Sequence, residues 1–165
     1  DKVGDDYEKG VLFLPQLLSA AQAAQSVFEV IRTALAESGA EPVKRGRLAI
    51  ATVQGDIHDI GKNIVRTVLE NYGYEVIDLG RDVPPEVVVQ TVEEEELRLV
   101  GLSALMTTTL PAMEETIHLL KKLPNPPMVM VGGAVVTPEY AEHMQADFYA
   151  KDAKESAEIV KKVLG

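Results

Sequence analysis

The sequence predicts an α/β fold built on a five-stranded parallel sheet, and the alternation of two patterns along residues 44–165 leads to this prediction. Short apolar runs rich in β-branched residues alternate with helical segments along this whole region. Strands and helices in strict alternation form a parallel sheet with right-handed crossovers and helices on its faces. For a domain of this length we expect the flavodoxin-like (Rossmann-like) strand order 2-1-3-4-5.

The elements follow from local patterns. Buried strands are predicted at 48–53, 75–79, 99–104, 127–133 and 146–150. Helices are predicted between and after them, at 61–72, 84–95, 110–122, 138–144 and 152–164. Two prolines open the second of these helices, where proline suits the first turn. The acidic run Glu93–Glu96 is expected to be a solvated helix end rather than a metal site.

A separate helix is predicted at residues 13–38. Its apolar residues recur at three- and four-residue steps and form one stripe, composed of Leu17, Ala21, Ala24, Phe28, Ile31 and Leu35. Pro15 suits the first turn, Ser38-Gly39 suits the end, and residues 40–47 read as a linker. A lone helix cannot bury such a stripe, so this segment must pack against something else.

Composition excludes several classes of function. The chain of 165 residues carries a formal charge of −10, whereas nucleic-acid binding needs clustered Lys and Arg. It has no cysteine, which rules out disulfides and thiolate zinc sites. No apolar stretch is long enough to span a membrane and no signal peptide is visible, so we expect a cytoplasmic protein with neither nucleic-acid nor membrane partners.

The functional site is expected where the strand order reverses, between strands 1 and 3. The loops GDIHDIG, SALMTTTLP and GGAVVTP follow strands 1, 3 and 4 and converge on this edge of the sheet. His58 stands two residues after Asp56 in the first loop. A carboxylate there can hold the proton of one imidazole nitrogen, which makes the other nitrogen a better metal ligand or orients a general base.

Simpler chemistries lack their residues. A catalytic zinc ion needs three protein ligands, but His118 and His143 lie on predicted helices facing elsewhere and read as surface residues. Ser103 and Thr107–Thr109 are possible nucleophiles, yet no G-x-S-x-G elbow is present, and neither phosphate-binding glycine motif occurs. One histidine backed by one carboxylate suits a metal whose other ligands come from a cofactor.

The three loops resemble the signature of cobalamin-binding modules, D-x-H-x-x-G…S-x-L…G-G. Between Gly61 and Ser103 lie 41 residues (62–102), and between Leu105 and Gly132 lie 26 (106–131), and both gaps fit the family pattern. Residues 3–22 look like the end of the helical cap that precedes this module in cobalamin-dependent methyltransferases. The resemblance therefore implies a truncated cap at 1–43, the remnant of a four-helix bundle, followed by a cobalamin-binding domain at 44–165.

The resemblance implies a role for each motif residue. His58 would be the lower axial ligand of cobalt, with the benzimidazole base of cobalamin displaced. Asp56 would accept the proton of the other imidazole nitrogen. Thr109 would extend this relay, at a position where the family often has serine. These three are the expected catalytic residues, and His58 is the expected metal ligand.

Further cofactor contacts are implied by the same motifs. In the first loop these are Gly55, Ile57, Asp59, Ile60 and Gly61, beside Asp56 and His58. Ser103 would hydrogen-bond the buried base, with Leu105 and Thr107 nearby, while Gly132, Gly133 and Ala134 would leave a slot for the nucleotide tail. Asp152-Ala153 matches another contact segment, with Ala153 as the contact. Phe13 and Leu17 are expected either over the upper corrin face or in the core of the cap.

The implied function is that of a corrinoid methyl carrier, similar to the small corrinoid proteins of methanol, methylamine and aryl-ether systems. It would hold methylcobalamin and cob(I)alamin in turn and pass a methyl group from a donor methyltransferase to an acceptor methyltransferase, with tetrahydrofolate or a thiol as acceptor. A reductive activator is a further expected partner, and the chain alone would complete no turnover. The alternatives are a fragment of methionine synthase, a subunit of an adenosylcobalamin mutase and a cobalamin-dependent regulator.

Overall fold

The computed structural model describes residues 45–165 without a break and eight residues before them, namely Gly10, Val11, Phe13, Gln16, Ser19, Ala23, Val27 and Val30. The chain divides into two compact units, Asp1–Val43 and Lys44–Gly165. In the first unit, the last five of those eight residues are helical and fall inside the predicted helix 13–38. The six residues of the predicted apolar stripe and most of the predicted linker lie outside the described residues.

The second unit contains the predicted five-stranded parallel sheet. Its strands are β1 (Arg47–Thr52), β2 (Glu75–Asp78), β3 (Leu99–Ser103), β4 (Met128–Gly132) and β5 (Phe148–Ala150). The order is β2-β1-β3-β4-β5, and every pairing is parallel. This is the flavodoxin-like order, so the predicted fold class is confirmed, with each strand within two residues of its predicted bounds.

The helices also follow the predicted pattern. They are α1 (Ile60–Asn71), α2 (Pro85–Glu94), α3 (Leu110–Leu120), α4 (Pro138–His143) and α5 (Ala153–Leu164). The last two begin at side-chain caps, because Thr137 Oγ1 accepts the Tyr140 N–H and Asp152 Oδ1 accepts the Glu155 N–H. A 3₁₀ turn at Thr107–Thr109, which the sequence did not predict, precedes α3. None of the helices in the described part of the chain is long and apolar enough to cross a membrane.

The sheet is buried on both faces, and the side chains of β1 alternate between them. Ala51 and Val53 pack with apolar residues of α2 and α3, on what we call the α2–α3 face. Leu48 and Ile50 pack with Leu69 of α1 and with Val160 of α5, on the α1–α5 face. The predicted solvated helix end is confirmed, since all four residues of Glu93–Glu96 are exposed.

A buried ion pair fixes the first turn of α1 against β2. Lys62 Nζ lies 2.5 Å from Asp78 Oδ1, and the two side chains are only 3% and 15% exposed. Asp78 also accepts the Gly80 N–H at 2.9 Å, and Arg66 contributes a second cation at 3.3 Å. Burial by itself raises the pKa of Asp78, but these donors and charges lower it below its usual value. The pair therefore holds in place the helix that directly follows His58.

We expect Lys62→Met to lower the free energy of unfolding by about 2–4 kcal/mol, because it leaves the Asp78 carboxylate buried without its nearest cation. Urea unfolding followed by circular dichroism measures the change. The double variant Lys62→Met/Asp78→Asn removes the stranded charge and should recover most of the loss. A single variant as stable as the wild type would show that the pair does not fix α1.

Candidate functional site

The centre of the site is the carboxylate of Asp56, which is fully buried. Its Oδ1 accepts the His58 N–H at 3.0 Å and lies 2.8 Å from His58 Nδ1. Its Oδ2 accepts the N–H groups of Leu105 (2.7 Å) and Met106 (3.2 Å) and the hydroxyl of Thr109 (3.1 Å). One side chain thus joins the loop after β1 to the loop after β3, as the convergence of loops at the switch point requires.

These donors keep Asp56 ionised. Burial alone would raise the pKa of this carboxyl, but the hydrogen bonds from Leu105, His58 and Thr109 outweigh burial and lower its pKa from 3.8 to about 2. A charged acceptor beside an imidazole fixes which ring nitrogen carries the proton. Nδ1 of His58 therefore donates to Asp56, and Nε2 is the nitrogen left with a lone pair for a metal.

His58 is accessible, although its partner is not. Its side chain is 46% exposed, whereas that of Asp56 is inaccessible. Four large apolar side chains near it are also exposed. Two are its neighbours in the same loop and two belong to the loop after β3, namely Ile57, Ile60, Leu105 and Met106. Exposed apolar groups beside an accessible imidazole nitrogen suit a flat, largely apolar ligand.

Thr109 has two acceptors for one proton. Its hydroxyl lies 3.1 Å from Asp56 Oδ2 and 2.8 Å from the Met106 carbonyl oxygen, so it donates to one of them at a time. Its extra methyl group, absent from serine, lies beside Gly55, where a Cβ would be 3.4 Å away. Gly55 has a φ of +82°, which only glycine adopts without strain.

Asp82 is a site residue that the sequence did not reveal. Its carboxylate accepts the Gly55 N–H at 2.7 Å, and its own N–H donates to the Asp56 carbonyl at 2.9 Å. It holds a left-handed conformation, with a φ of 53°, which is strained for a non-glycine residue. Asp82 follows β2, which lies outside the predicted switch point, so only the three-dimensional structure connects it to the loop of His58.

The glycines of the site serve different purposes. A Cβ at Gly133 would lie 1.9 Å from the Ala104 carbonyl oxygen, and one at Gly132 would lie 2.8 Å from that of Ala150. Close packing of the backbone therefore requires glycine at both positions, before any nucleotide tail is considered. At Gly61 a Cβ would meet nothing within 4 Å, so the fold alone gives no steric reason for glycine there.

The remaining predicted contacts lie at or beyond this edge. Asp59 is the N-cap of α1, Thr107 and Ala134 are exposed, and Ser103 ends β3 half-buried. Ala153 begins α5 directly after β5, and β5 is three strand positions from β1. The structure thus brings Asp56, His58, Leu105 and Thr109 into contact but does not bring Ala153 to them.

Three other predictions concern residues outside the three loops. Asp152 accepts the Glu155 N–H and so caps α5. Phe13 is exposed, and Leu17 lies outside the described residues. His118 and His143 are exposed, which confirms that they are surface residues.

Fold and site together define a class of proteins, in which an α/β domain binds a metal-containing cofactor at the switch point of its sheet. The particular family is given by comparison with known proteins. Residues 46–161 match the model of the B12 binding domain, and since this is more than half of the sequence, the chain belongs to the B12-binding family. Membership confirms the predicted cofactor, cobalamin, and with it cobalt.

Individual relatives agree with this assignment. The chain is 43% identical over 166 residues to dimethylamine corrinoid protein 1 of Methanosarcina acetivorans, covering 99% of this chain and 78% of that protein. Among solved structures, a cobalamin-binding protein of Desulfitobacterium hafniense is similar with a TM-score of 0.81 at 36% identity, covering 99% of this chain and 77% of that one. The methanol:cobalamin methyltransferase complex of Methanosarcina barkeri gives a TM-score of 0.79 at 34% identity, and the match covers 98% of this chain and 62% of that one.

The depressed pKa of Asp56 predicts an acid-dependent contribution to stability. The folded state favours the ionised carboxylate, so its contribution is full above the ordinary pKa of 3.8 and is lost as the pH falls toward about 2. Asp56→Asn should therefore show a smaller fall in unfolding free energy than the wild type between about pH 4 and pH 2. Thr109→Val removes one of the donors to Asp56, so its fall in unfolding free energy should lie between those of the wild type and Asp56→Asn. Urea unfolding at stepped pH measures the three slopes, and equal slopes would contradict the hydrogen-bonding account.

Proposed function

We propose that this chain is a corrinoid methyl carrier, in which His58 Nε2 would hold the cobalt of the corrinoid. The observation that carries the proposal is the hydrogen-bonded chain from His58 through Asp56 to Thr109, buried at one end and exposed at the other. The names of the relatives support the carrier role, because they are a corrinoid protein and a cobalamin methyltransferase complex.

Bound corrinoid supplies a cobalt atom that accepts a methyl group when reduced and yields it to a second acceptor. The residues of this chain tune that exchange. Asp56 stays anionic and keeps the proton on Nδ1, which leaves Nε2 as the nitrogen that would hold the metal. The Asp56 carboxylate would also stabilise positive charge on the His58 imidazole, since the two groups are 2.8 Å apart. Thr109 adjusts by turning its hydroxyl toward Asp56 or toward the Met106 carbonyl.

The surroundings of His58 suit this ligand. The exposed side chains of Ile57 and Ile60 form an apolar surface on which the corrin ring would pack. Gly61, which has no side chain, would leave room for the edge of the ring. Leu105 and Met106 extend the same surface from the other loop. Cobalamin would thus cover apolar groups that the protein otherwise leaves in water.

Donor and acceptor are the finer part of the proposal. The names of similar proteins point to different methyl donors, because one is a dimethylamine corrinoid protein and another is a methanol:cobalamin methyltransferase complex. We take methylamines as the first donor class to test, because the dimethylamine relative matches over 99% of this chain. The proposed partners are a donor methyltransferase, an acceptor methyltransferase acting on tetrahydrofolate or a thiol, and a reductive activator.

The carrier role is tested with the reduced, cobalamin-loaded protein. Incubation with a methylamine methyltransferase and dimethylamine should convert its visible spectrum to that of the methylated cofactor in a single turnover. Mixing with an acceptor methyltransferase and its thiol or tetrahydrofolate should reverse the change. If the protein binds cobalamin but no methylamine, methanol or aryl-ether system methylates it, the carrier role is contradicted.

Replacing His58 tests the proposed ligand. We expect the wild type to bind methylcobalamin and hydroxocobalamin with the visible spectrum of a histidine-ligated corrinoid. His58→Ala should shift that spectrum to the form without a lower nitrogen ligand, because no other imidazole lies in this loop. His118→Ala is the matched control and should leave the spectrum unchanged, since His118 is exposed on α3. An unaltered spectrum in His58→Ala would contradict axial ligation.

Gly61→Ala should separate stability from binding. Alanine in the first turn of α1 is a better helix former and meets no atom within 4 Å, so the cofactor-free protein should gain about 0.5 kcal/mol. The added methyl group would crowd the corrin edge and weaken cobalamin binding by about tenfold. Thermal unfolding and equilibrium dialysis measure the two effects. Gly133→Ala is the opposite case and should destabilise the cofactor-free protein, because its Cβ meets a carbonyl oxygen.

A further inference from the structure

Thr52 carries a buried hydroxyl that has no partner. It is the last residue of β1 and is fully inaccessible. Throughout residues 45–165 and the eight described before them, Thr52 Oγ1 is the single buried side-chain nitrogen or oxygen without a hydrogen bond. An unpaired buried hydroxyl destabilises a protein, and valine has nearly the same shape without that cost. The hydroxyl therefore calls for an explanation beyond the packing of the strand.

Strand register places this hydroxyl beside a predicted cofactor contact. Side chains alternate along β1, so Thr52 shares the α1–α5 face with Leu48 and Ile50. Its register partner in β3 is Ser103, whose side chain points to the same face about 4.8 Å away. On its other side lies Gly80, whose carbonyl accepts the Thr52 N–H at 3.0 Å.

The register continues as a row of small residues across the carboxyl end of the sheet. This small-residue row consists of Thr52, Ser103, Gly132 and Ala150. From β1 to β5, the row immediately below it on the same face consists of Ile50, Gly101, Met130 and Phe148, and the side chains of Ile50 and Met130 fill the space beside Gly101. The side chains on this face are therefore smallest at the edge where the loop of His58 begins.

The first turn of α1 covers this end of the face. Lys62 reaches Asp78, which is the register partner of Ile50 and so lies on the same face. Because Thr52 is fully buried and the Lys62–Asp78 pair holds this turn in place, a ligand group that reaches the hydroxyl must displace neighbouring side chains instead.

We infer that the Thr52 hydroxyl donates a hydrogen bond to a ring nitrogen of the corrinoid's lower base, next to Ser103, and thereby favours corrinoids whose lower base is a nitrogen heterocycle. The inference rests on the proposed function and extends it to the class of cofactor selected. A hydroxyl can donate to the lone pair of a benzimidazole or purine nitrogen, whereas a phenolic base has no ring nitrogen to accept it. Binding thus satisfies the one buried side-chain polar group that the described residues leave unpaired.

The test compares Thr52→Val and Thr52→Ser with the wild type. Dissociation constants are measured by equilibrium dialysis for cobalamin, for a corrinoid with a phenolic lower base, and for cobinamide, which lacks the nucleotide tail. Thr52→Val should weaken cobalamin binding about three- to tenfold, the effect of one neutral hydrogen bond, and leave the other two constants unchanged. Thr52→Ser keeps the hydroxyl and should stay within about twofold of the wild type for cobalamin.

A second readout needs no cofactor. Thr52→Val should raise the Tm of the cofactor-free protein, because it replaces an unpaired hydroxyl with a methyl group of similar size. A lower Tm would show that the hydroxyl is already satisfied within the protein and would overturn the inference.

The binding outcomes separate this inference from the proposed function. If the wild type binds cobalamin with a histidine-ligated spectrum and Thr52→Val binds it equally well, the inference alone is overturned. Equal weakening for cobalamin and the phenolic corrinoid would place the contact on the ribose or phosphate and overturn selection of the base. Equal weakening for cobinamide as well would mark a general disturbance of the fold and would also overturn it. Failure of the wild type to bind any corrinoid overturns the proposed function, and the inference with it.

Discussion

The site depends on the buried, ionised carboxylate of Asp56. It accepts hydrogen bonds from its own loop and from the loop after β3, whose nearest donor, Leu105, is 49 residues further along the chain. The carboxylate keeps its charge because these donors outweigh burial. Without it, neither the tautomer of His58 nor the path of the loop after β3 would be defined. Asp82 reinforces the same loop through Gly55, at the expense of a strained backbone of its own.

Around this fixed centre, several features are costly to the protein unless a ligand is bound. Ile60 is 78% exposed, Gly61 weakens the first turn of a helix without a steric reason, and Thr52 buries an unpaired hydroxyl. All three lie within one loop and its flanking elements. Gly132 and Gly133 differ, because backbone packing alone accounts for them. This contrast separates residues kept for the fold from residues that the proposed cofactor would explain.

Much of this arrangement is readable from the sequence, because its causes are local. Alternating β-branched runs and helical segments give the order of the strands, and the two-residue step from Asp56 to His58 gives their hydrogen bond. The link from Thr109 to Asp56 came from resemblance to cobalamin-binding modules. What the sequence did not reveal depends on register between strands. Lys62 meets Asp78, and Thr52 lies beside Ser103, only once β1 is paired with β2 and β3.

Electron paramagnetic resonance can show whether an imidazole of this chain ligates cobalt. The protein is loaded with cobalamin in the Co(II) state, whose unpaired electron couples to a nitrogen on the lower axis. Protein labelled with ¹⁵N only in histidine is compared with unlabelled protein, both carrying unlabelled cobalamin. With a histidine as the ligand, we expect each cobalt line to be split into a triplet in the unlabelled sample and a doublet in the labelled one. A triplet in both samples would identify the ligand as the cofactor's own base and contradict the account.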